Sequence, residues 1–228
     1  MSCDRVKIFI SHDSEERGLA SAIKSSLFER GFDTFVAHDD IIPTKTWSEE
    51  LIKSLDESNI IVVLVSELSN ASAWVQQEVG YSVAKGKYII PVKINADPKG
   101  FLASIQALKL PMEINEYGRK FYLTSHCAIE IGKLLLADVR YKDNLINQII
   151  DKIQSSQSFV ETEGYVFWFD YFNEITKEQA NLLLDVAISN GQVNHAYCAK
   201  KAYRSFISKN RAIMDEDKIS LLQRLFPD

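Results

Sequence analysis

The sequence contains little cysteine, and its cysteines form no recognisable pattern. Cys3, Cys127 and Cys198 are the only three, an odd number with no two close together. Structural zinc sites and dithiol redox motifs need closely spaced cysteines, so both kinds of site are disfavoured. We expect reduced thiols in a protein of the cytoplasm.

A long apolar segment is also missing. The longest uninterrupted run, Ile60 to Val65, is far shorter than the roughly 20 residues that cross a bilayer. The first residues, Met1 to Arg5, contain neither the basic region nor the apolar stretch of a signal peptide. These features predict a soluble, cytoplasmic protein with no membrane contact.

The sequence has no surplus of basic residues. Lys and Arg number 26 against 31 Asp and Glu, which gives a formal net charge of -5. Proteins that bind the phosphate backbone of nucleic acids usually have the opposite sign, so nucleic acid is disfavoured as a partner. Neither a Walker-type loop nor a GxGxxG loop is present to bind phosphate groups.

In the first half of the chain, short apolar runs alternate with segments of helical periodicity. The strand-like runs are residues 6–10, 32–36, 59–65 and 88–94, and the third helical segment is 73–85. This alternation predicts a parallel α/β sheet with right-handed crossovers. We expect a polar loop at Ser66 to Ser72, a last edge strand at Leu108 to Leu110, and no strand after it.

The C-terminal part of the chain has a different composition. The polar stretch Ser155 to Ser158 predicts a boundary between a first domain, residues 1–155, and a small all-helical domain, residues 156–228. The second domain contains a dense aromatic cluster, Tyr165 to Phe172. We interpret this cluster as the core of the helical domain, the alternative being an exposed face that binds a partner.

Trp74 and Glu78 are four residues apart on the third predicted helix. Residues at this spacing share one helical face, so both can face the loops at the carboxyl ends of the strands. Ligands of open α/β sheets bind at those loops. By the pattern alone, a core tryptophan beside a solvated glutamate is the simpler interpretation.

Three motifs together resemble a Toll/interleukin-1 receptor (TIR) domain. They are the first strand running into Ser11-His12-Asp13, the loop Asp39-Asp40-Ile41-Ile42-Pro43, and the segment Ser72 to Glu78. The resemblance covers roughly residues 5–153, includes the order of the elements, and implies a flavodoxin-like parallel sheet. Bacterial TIR proteins, including those of Thoeris-type antiphage systems, are the most similar members.

The resemblance implies an activity and a set of site residues. In the catalytic branch of the family, a glutamate four residues after a tryptophan is required to cleave NAD between ribose and nicotinamide, and Glu78 matches it. NAD is then the substrate, with no cofactor and no metal. The implied substrate contacts are Ile10, Ser11, His12, Asp13, Asp40, Ser66 and Trp74, and the implied gating and assembly loop contains Asp39 and Pro43.

The partners and the product are also implied by the resemblance. The implied partners are further copies of the chain, by self-association through TIR surfaces, a phage-derived activator, and a separate effector protein. The effector senses a cyclic ADP-ribose-type product, and linear ADP-ribose is the alternative product. Two other functions stay open. One is a non-enzymatic adaptor or a mimic of host TIR signalling, and the other is nucleoside deoxyribosyl transfer. Asp13 with Glu16 also fits a helix-capping box, which is a purely structural role.

Overall fold

The computed structural model describes residues 5–36 and 47–226. Its main sheet has five parallel strands in the order β2-β1-β3-β4-β5. The strands are β1 (Lys7–Ser11), β2 (Asp33–Val36), β3 (Ile60–Val65), β4 (Tyr88–Lys93) and β5 (Leu108–Lys109). This is the strand order of a doubly wound, flavodoxin-like sheet, so the predicted fold class is confirmed.

Five helices belong to the part of the chain that forms the sheet. They are α1 (Arg17–Glu29), α2 (Trp47–Glu57), α3 (Glu67–Ala71), α4 (Ala73–Ala84) and α5 (Thr124–Ala137), and a 3₁₀ turn, Ser14–Glu16, precedes α1. The prediction of a loop at Ser66 to Ser72 was wrong, because α3 lies there. Ser66 and Ser69 cap this short helix reciprocally, each side chain accepting a hydrogen bond from the backbone of the other.

The sheet is buried on both faces. All six residues of β3 are buried, as expected for a central parallel strand. On one face, Phe9, Ile61, Val63 and Val65 pack with side chains of α2 and α4. Side chains of the alternate residues Ile8, Ile10, Ile60, Val62 and Leu64 are fully buried as well.

A two-stranded antiparallel hairpin follows the sheet. It consists of β6 (Met112–Ile114) and β7 (Lys120–Tyr122). The prediction that no strand follows Leu110 was therefore wrong. Most hairpin side chains are exposed, including Ile114 and Phe121, so the alternation of buried and exposed residues that marks a strand in sequence does not occur here.

Contacts group the described residues into two compact units. The first contains residues 6–28 and 32–132, and the second contains Arg5, Glu29–Gly31 and residues 133–226. This grouping places the change of unit within α5, earlier in the chain than the predicted boundary at 155–156.

The second unit is helical. Its helices after α5 are α6 (Lys142–Ser155), α7 (Phe159–Val166), α8 (Lys177–Ser189), α9 (Gly191–His195), α10 (Tyr197–Asn210) and α11 (Glu216–Leu225). Trp168, Tyr203 and Phe206 are almost completely buried within it, and Phe169 packs on both Tyr203 and Phe206. The interpretation of the aromatic cluster as a core is therefore confirmed. Over residues 5–36 and 47–226, no helix combines the length and the apolar character that crossing a bilayer requires.

Within the second unit, the segment Glu29–Gly31 is held through its carbonyl groups. The indole Nε1 of Trp168 donates to the carbonyl oxygen of Arg30 at 2.8 Å, and Nε2 of Gln148 donates to that of Gly31 at 3.2 Å. Gly31 has φ +89°, the left-handed conformation that ends a helix most easily with glycine. Carbonyl groups just beyond a helix end have no partner within the helix, and these two side chains supply one for Arg30 and for Gly31.

Candidate active site

The topology of the sheet has a switch point between β1 and β3. These strands are neighbours, with Ser11 of β1 in register with Val63 of β3. Strand β2, which follows β1 in the chain, lies on the β1 side of this pair. Strand β4, which follows β3, lies on the β3 side. Ligands of open α/β sheets bind at such a switch point. Ser11 ends β1 and Ser66 follows β3, so both residues lie at this edge.

Helix α4 turns Glu78 towards the sheet. The buried residues of α4 are Val75, Glu78, Val79 and Ser82, a spacing that defines one face of a helix. Val75 and Val79 pack in the core on one face of the sheet. Glu78 therefore occupies a position where an apolar residue is normal, and its exposed fraction is only 7%. The simpler interpretation, a solvated glutamate, was wrong.

Ser11 is the hydrogen-bond partner of Glu78. The Ser11 hydroxyl donates to Oε2 of Glu78 at 2.5 Å, and both groups are buried. In a strand, alternate residues share a face. Ser11 therefore lies on the same face as Phe9, which packs with Val75 and Val79 of α4. The two-residue period of β1 and the helical period of α4 together bring Ser11 and Glu78 into contact, although they are 67 residues apart in sequence.

The environment of Glu78 changes its acidity. Burial raises its pKa from the ordinary value of 4.5 to about 7, and the hydrogen bond from Ser11 opposes this effect. A carboxyl group with a pKa near neutrality can be present in either protonation state at physiological pH. Strongly perturbed carboxyl groups of this kind are concentrated at functional sites.

Trp74 lies one helical turn before Glu78, but its environment differs. Its side chain is 51% exposed, against 7% for Glu78. Interpretation of Trp74 as a core residue was therefore wrong. The first turn of α4 presents a large aromatic surface to solvent, and a buried carboxyl group follows one turn later.

Asp13 and Ser66 both cap helical segments near the ends of β1 and β3. Asp13 accepts a hydrogen bond from the backbone of Glu15 at 3.1 Å and forms the expected capping box with Glu16. Ser66 is buried and caps α3. These capping hydrogen bonds hold the segments that follow β1 and β3 in place.

Glu16 has an environment that sequence reasoning did not find. Its side chain is partly buried, and Oε2 accepts the capping hydrogen bond from the Asp13 backbone N–H at 3.4 Å. Burial raises the pKa of Glu16, and the Ser66 hydroxyl and the Asp13 backbone oppose this effect. The capping pattern identified Glu16 only as a structural residue, because its partial burial leaves no local signal in the sequence.

The remaining predicted site residues are placed as follows. Ile10 is fully buried within the sheet, and His12 is buried with Nδ1 3.4 Å from the carbonyl oxygen of Ile10. Asp39, Asp40 and Pro43 lie outside the described residues. Among the residues that are described, no three His, Cys, Asp or Glu side chains are grouped as metal ligands.

Comparison with known proteins identifies one similar family. The TIR domain family model matches residues 8–123, just over half of the chain. Among solved structures, the chain is similar to the TIR domain of the Toll-related receptor TRR-2 from Hydra magnipapillata. The sequences are 19% identical, the match covers 45% of this chain and 82% of that chain, and the TM-score is 0.41. No curated protein matches the chain.

Proposed function

Because the chain belongs to the TIR domain family, we propose that it is an enzyme that cleaves NAD between ribose and nicotinamide, with Glu78 as a catalytic residue. The observation that carries this proposal is the buried Glu78 carboxyl group, hydrogen-bonded to Ser11 at the carboxyl end of β1. Burial of an ionisable group is costly, and the fold would be served better by an apolar residue at this position of α4. A functional requirement accounts for the carboxyl group.

One carboxylate is enough for the chemistry. The bond between C1′ of the ribose and the pyridinium nitrogen breaks, and its electron pair leaves with nicotinamide. Nicotinamide is cationic in NAD and departs as a neutral molecule, so the leaving group needs no general acid. The ribose becomes an oxocarbenium-like cation, which a nearby carboxylate stabilises electrostatically, as in glycoside hydrolysis. Glu78 supplies that charge in its ionised form.

The raised pKa of Glu78 is compatible with this role. In the free protein its pKa of about 7 leaves both protonation states populated at neutral pH. A cationic pyridinium ring near the carboxyl group favours the ionised form. The substrate itself thus stabilises the negative charge that the reaction uses.

Trp74 supports the same proposal from the solvent side of the site. Its half-exposed indole offers a flat surface on which an adenine or a pyridinium ring can stack. A cation over an indole is worth about 0.5 to 2 kcal/mol, depending on burial. An exposed tryptophan alone would fit an interaction surface equally well, but an adaptor surface has no use for a buried carboxyl group one turn away.

The proposal extends to the product and the setting. The product is a cyclic ADP-ribose-type signal in antiphage defence, formed when a group of the same nucleotide attacks the ribosyl cation. Partners of such a cytoplasmic enzyme are further copies of the chain, a phage-derived activator and an effector that senses the signal. The resemblance to Thoeris-type TIR proteins supports these points.

The test is nicotinamide release from NAD by concentrated protein, with Glu78→Gln compared with wild type. Glu57→Gln is the matched control, because Glu57 is exposed and pairs with Lys7 at 2.8 Å near the amino end of β1. We expect release by wild type and by the control, and none by Glu78→Gln. Chromatography of the products distinguishes cyclic from linear ADP-ribose.

Two results would contradict the proposal. Equal release by Glu78→Gln and wild type would remove Glu78 from the mechanism. Transfer of deoxyribose between added bases, without turnover of NAD, would indicate the deoxyribosyltransferase reaction instead.

A further inference from the structure

The helical unit contains a cavity between α10 and α11. Its volume of about 560 Å³ lies within the range of roughly 300 to 1,000 Å³ that is typical of sites for small molecules. The apolar floor of the cavity consists of the buried residues Ile207, Leu222 and Phe226. Tyr203 packs edge to face with the Phe226 ring, and Nη2 of Arg204 donates to the Phe226 carbonyl oxygen at 3.0 Å. These contacts hold the end of α11 against α10, so the floor is a fixed surface.

The rim of the cavity is polar. It consists of four exposed residues, Arg204, Ser208, Arg211 and Gln223. Arg204, Ser208 and Arg211 follow one another at spacings of four and three residues, which places them on one side of α10 and of the 3₁₀ turn Arg211–Ile213 after it. The rim therefore presents two guanidinium groups, a hydroxyl and an amide to the same cavity.

Positive charge is concentrated in this part of the chain. Residues 186–214 include five Lys and Arg and no Asp or Glu, although the chain as a whole has a net charge of -5. Two of these five, Arg204 and Arg211, line the cavity, and none of the described residues that line it is acidic. The local charge favours an anionic ligand over a neutral or cationic one.

Arg211 is oriented by a neighbouring carboxylate outside the cavity. Its Nε and Nη2 atoms donate to the two carboxylate oxygens of Glu216 at 2.9 and 2.6 Å, and the Nη1 donors are not part of this pair. Both side chains are more than half exposed, and ion pairs this exposed are weak. A phosphate group can therefore bind the Nη1 donors or compete with Glu216 for the guanidinium group.

We propose that the cavity between α10 and α11 binds a nucleoside diphosphate, a function separate from NAD cleavage. The phosphate groups contact the guanidinium groups of Arg204 and Arg211, because arginine binds phosphate through paired N–H donors. These two residues start about 10 Å apart along the helix axis, a separation that two linked phosphate groups bridge better than one.

The nucleoside part accounts for the rest of the cavity. Its flat ring covers the apolar floor, and the Gln223 amide, which both donates and accepts hydrogen bonds, faces the polar edge of the base. A longer polyanion such as RNA is disfavoured, because the chain outside residues 186–214 is net acidic.

The experiment is calorimetric titration of the full chain with ADP in a buffer free of phosphate. Arg211→Gln should raise the Kd for ADP about 10-fold, the effect of losing one hydrogen bond between charged groups. Glu216→Gln should lower the Kd, because it removes the carboxylate that competes for Arg211. Since the two substitutions act in opposite directions, a general loss of folded protein cannot produce both results.

Arg224→Gln is the matched control. Arg224 is exposed on α11 and does not line the cavity, so its loss removes the same charge without a contact to the ligand. The Kd for ADP should equal that of wild type. Adenosine and inorganic pyrophosphate, each lacking one half of the ligand, should both bind at least about 10-fold more weakly than ADP.

Several results would overturn the proposal. An equal rise in Kd in Arg211→Gln and Arg224→Gln would show a diffuse charge effect instead of a site. Adenosine binding as tightly as ADP would remove the phosphate contacts, and pyrophosphate binding as tightly as ADP would remove the nucleoside. Binding of an RNA oligonucleotide more tightly than ADP, with the same dependence on Arg211, would assign the surface to a polymer.

Discussion

Replacement of Glu78 by glutamine should stabilise the folded protein at alkaline pH. Burial raises the pKa of Glu78 from 4.5 to about 7, so between these values the folded chain binds the proton more tightly than the unfolded chain. The contribution of this group to stability is therefore most favourable below pH 4.5 and is lost as the pH rises through about 7. Glutamine has no such dependence and still accepts the hydrogen bond from Ser11.

The size of the effect follows from the two pKa values. At about 1.4 kcal/mol for each pKa unit, ionisation of Glu78 lowers the free energy of unfolding by about 3 kcal/mol at pH 8 relative to acid conditions. The advantage of Glu78→Gln over wild type should thus grow from near zero below pH 4.5 to about 3 kcal/mol at pH 8. For a chain of this length that corresponds to about 6 to 12 °C in the melting temperature.

Urea unfolding followed by far-ultraviolet circular dichroism, at several pH values between 5 and 8, measures this difference. Glu57→Gln should show no such change between pH 5 and pH 8, because the hydrogen bond and charge of Lys7 lower the pKa of Glu57 from its ordinary value of 4.5. The stability that this pair contributes is present at neutral pH and is lost in acid. If Glu78→Gln has the same stability relative to wild type at pH 5 and pH 8, the Glu78 carboxyl group does not have the buried environment described above.

Two further predictions concern the acid limb of activity and the packing of helical glycines. Ser11→Ala removes the hydrogen bond that lowers the pKa of Glu78, so the acid limb of kcat/KM for NAD cleavage, near pH 7 in wild type, should move to higher pH; an unchanged midpoint would contradict this. Gly164→Ala should destabilise the protein by about 1 to 3 kcal/mol in urea unfolding, because the added Cβ would lie 2.2 Å from the carbonyl oxygen of Glu29. Gly80→Ala meets no atom within 4 Å and should instead stabilise by up to about 1 kcal/mol, so a cost equal to that at Gly164 would refute the packing argument.

The sheet could be predicted from the sequence because its strands are continuous apolar runs. The run that contains β3 is the clearest example, since every residue of Ile60–Val65 is buried on one face or the other. Helix α3 and the hairpin of β6 and β7 could not be predicted in this way. Reciprocal serine caps stabilise α3, and the hairpin buries too little to leave an apolar pattern.

The site was predictable only in part. Spacing on α4 identified Trp74 and Glu78, yet the pattern alone favoured a core tryptophan beside a solvated glutamate, whereas the tryptophan is half-exposed and the glutamate is buried. The burial of Glu78 is consistent with its place between Val75 and Val79 on the apolar face. The hydrogen bond between Glu78 and Ser11 depends on which strand and helix are neighbours in the fold, and no local pattern in the sequence shows that.

The anchoring of Glu29–Gly31 has a consequence for the order of events during synthesis. Trp168, which donates to the carbonyl group of Arg30, is made 138 residues later. At about 5 to 20 residues per second, the ribosome adds it roughly 7 to 28 s after Arg30. Throughout that interval the end of α1 lacks a partner that it has in the finished protein. The turn that ends the first helix is therefore held by a residue translated long after it, and a nascent chain that has not reached Trp168 lacks this hydrogen bond.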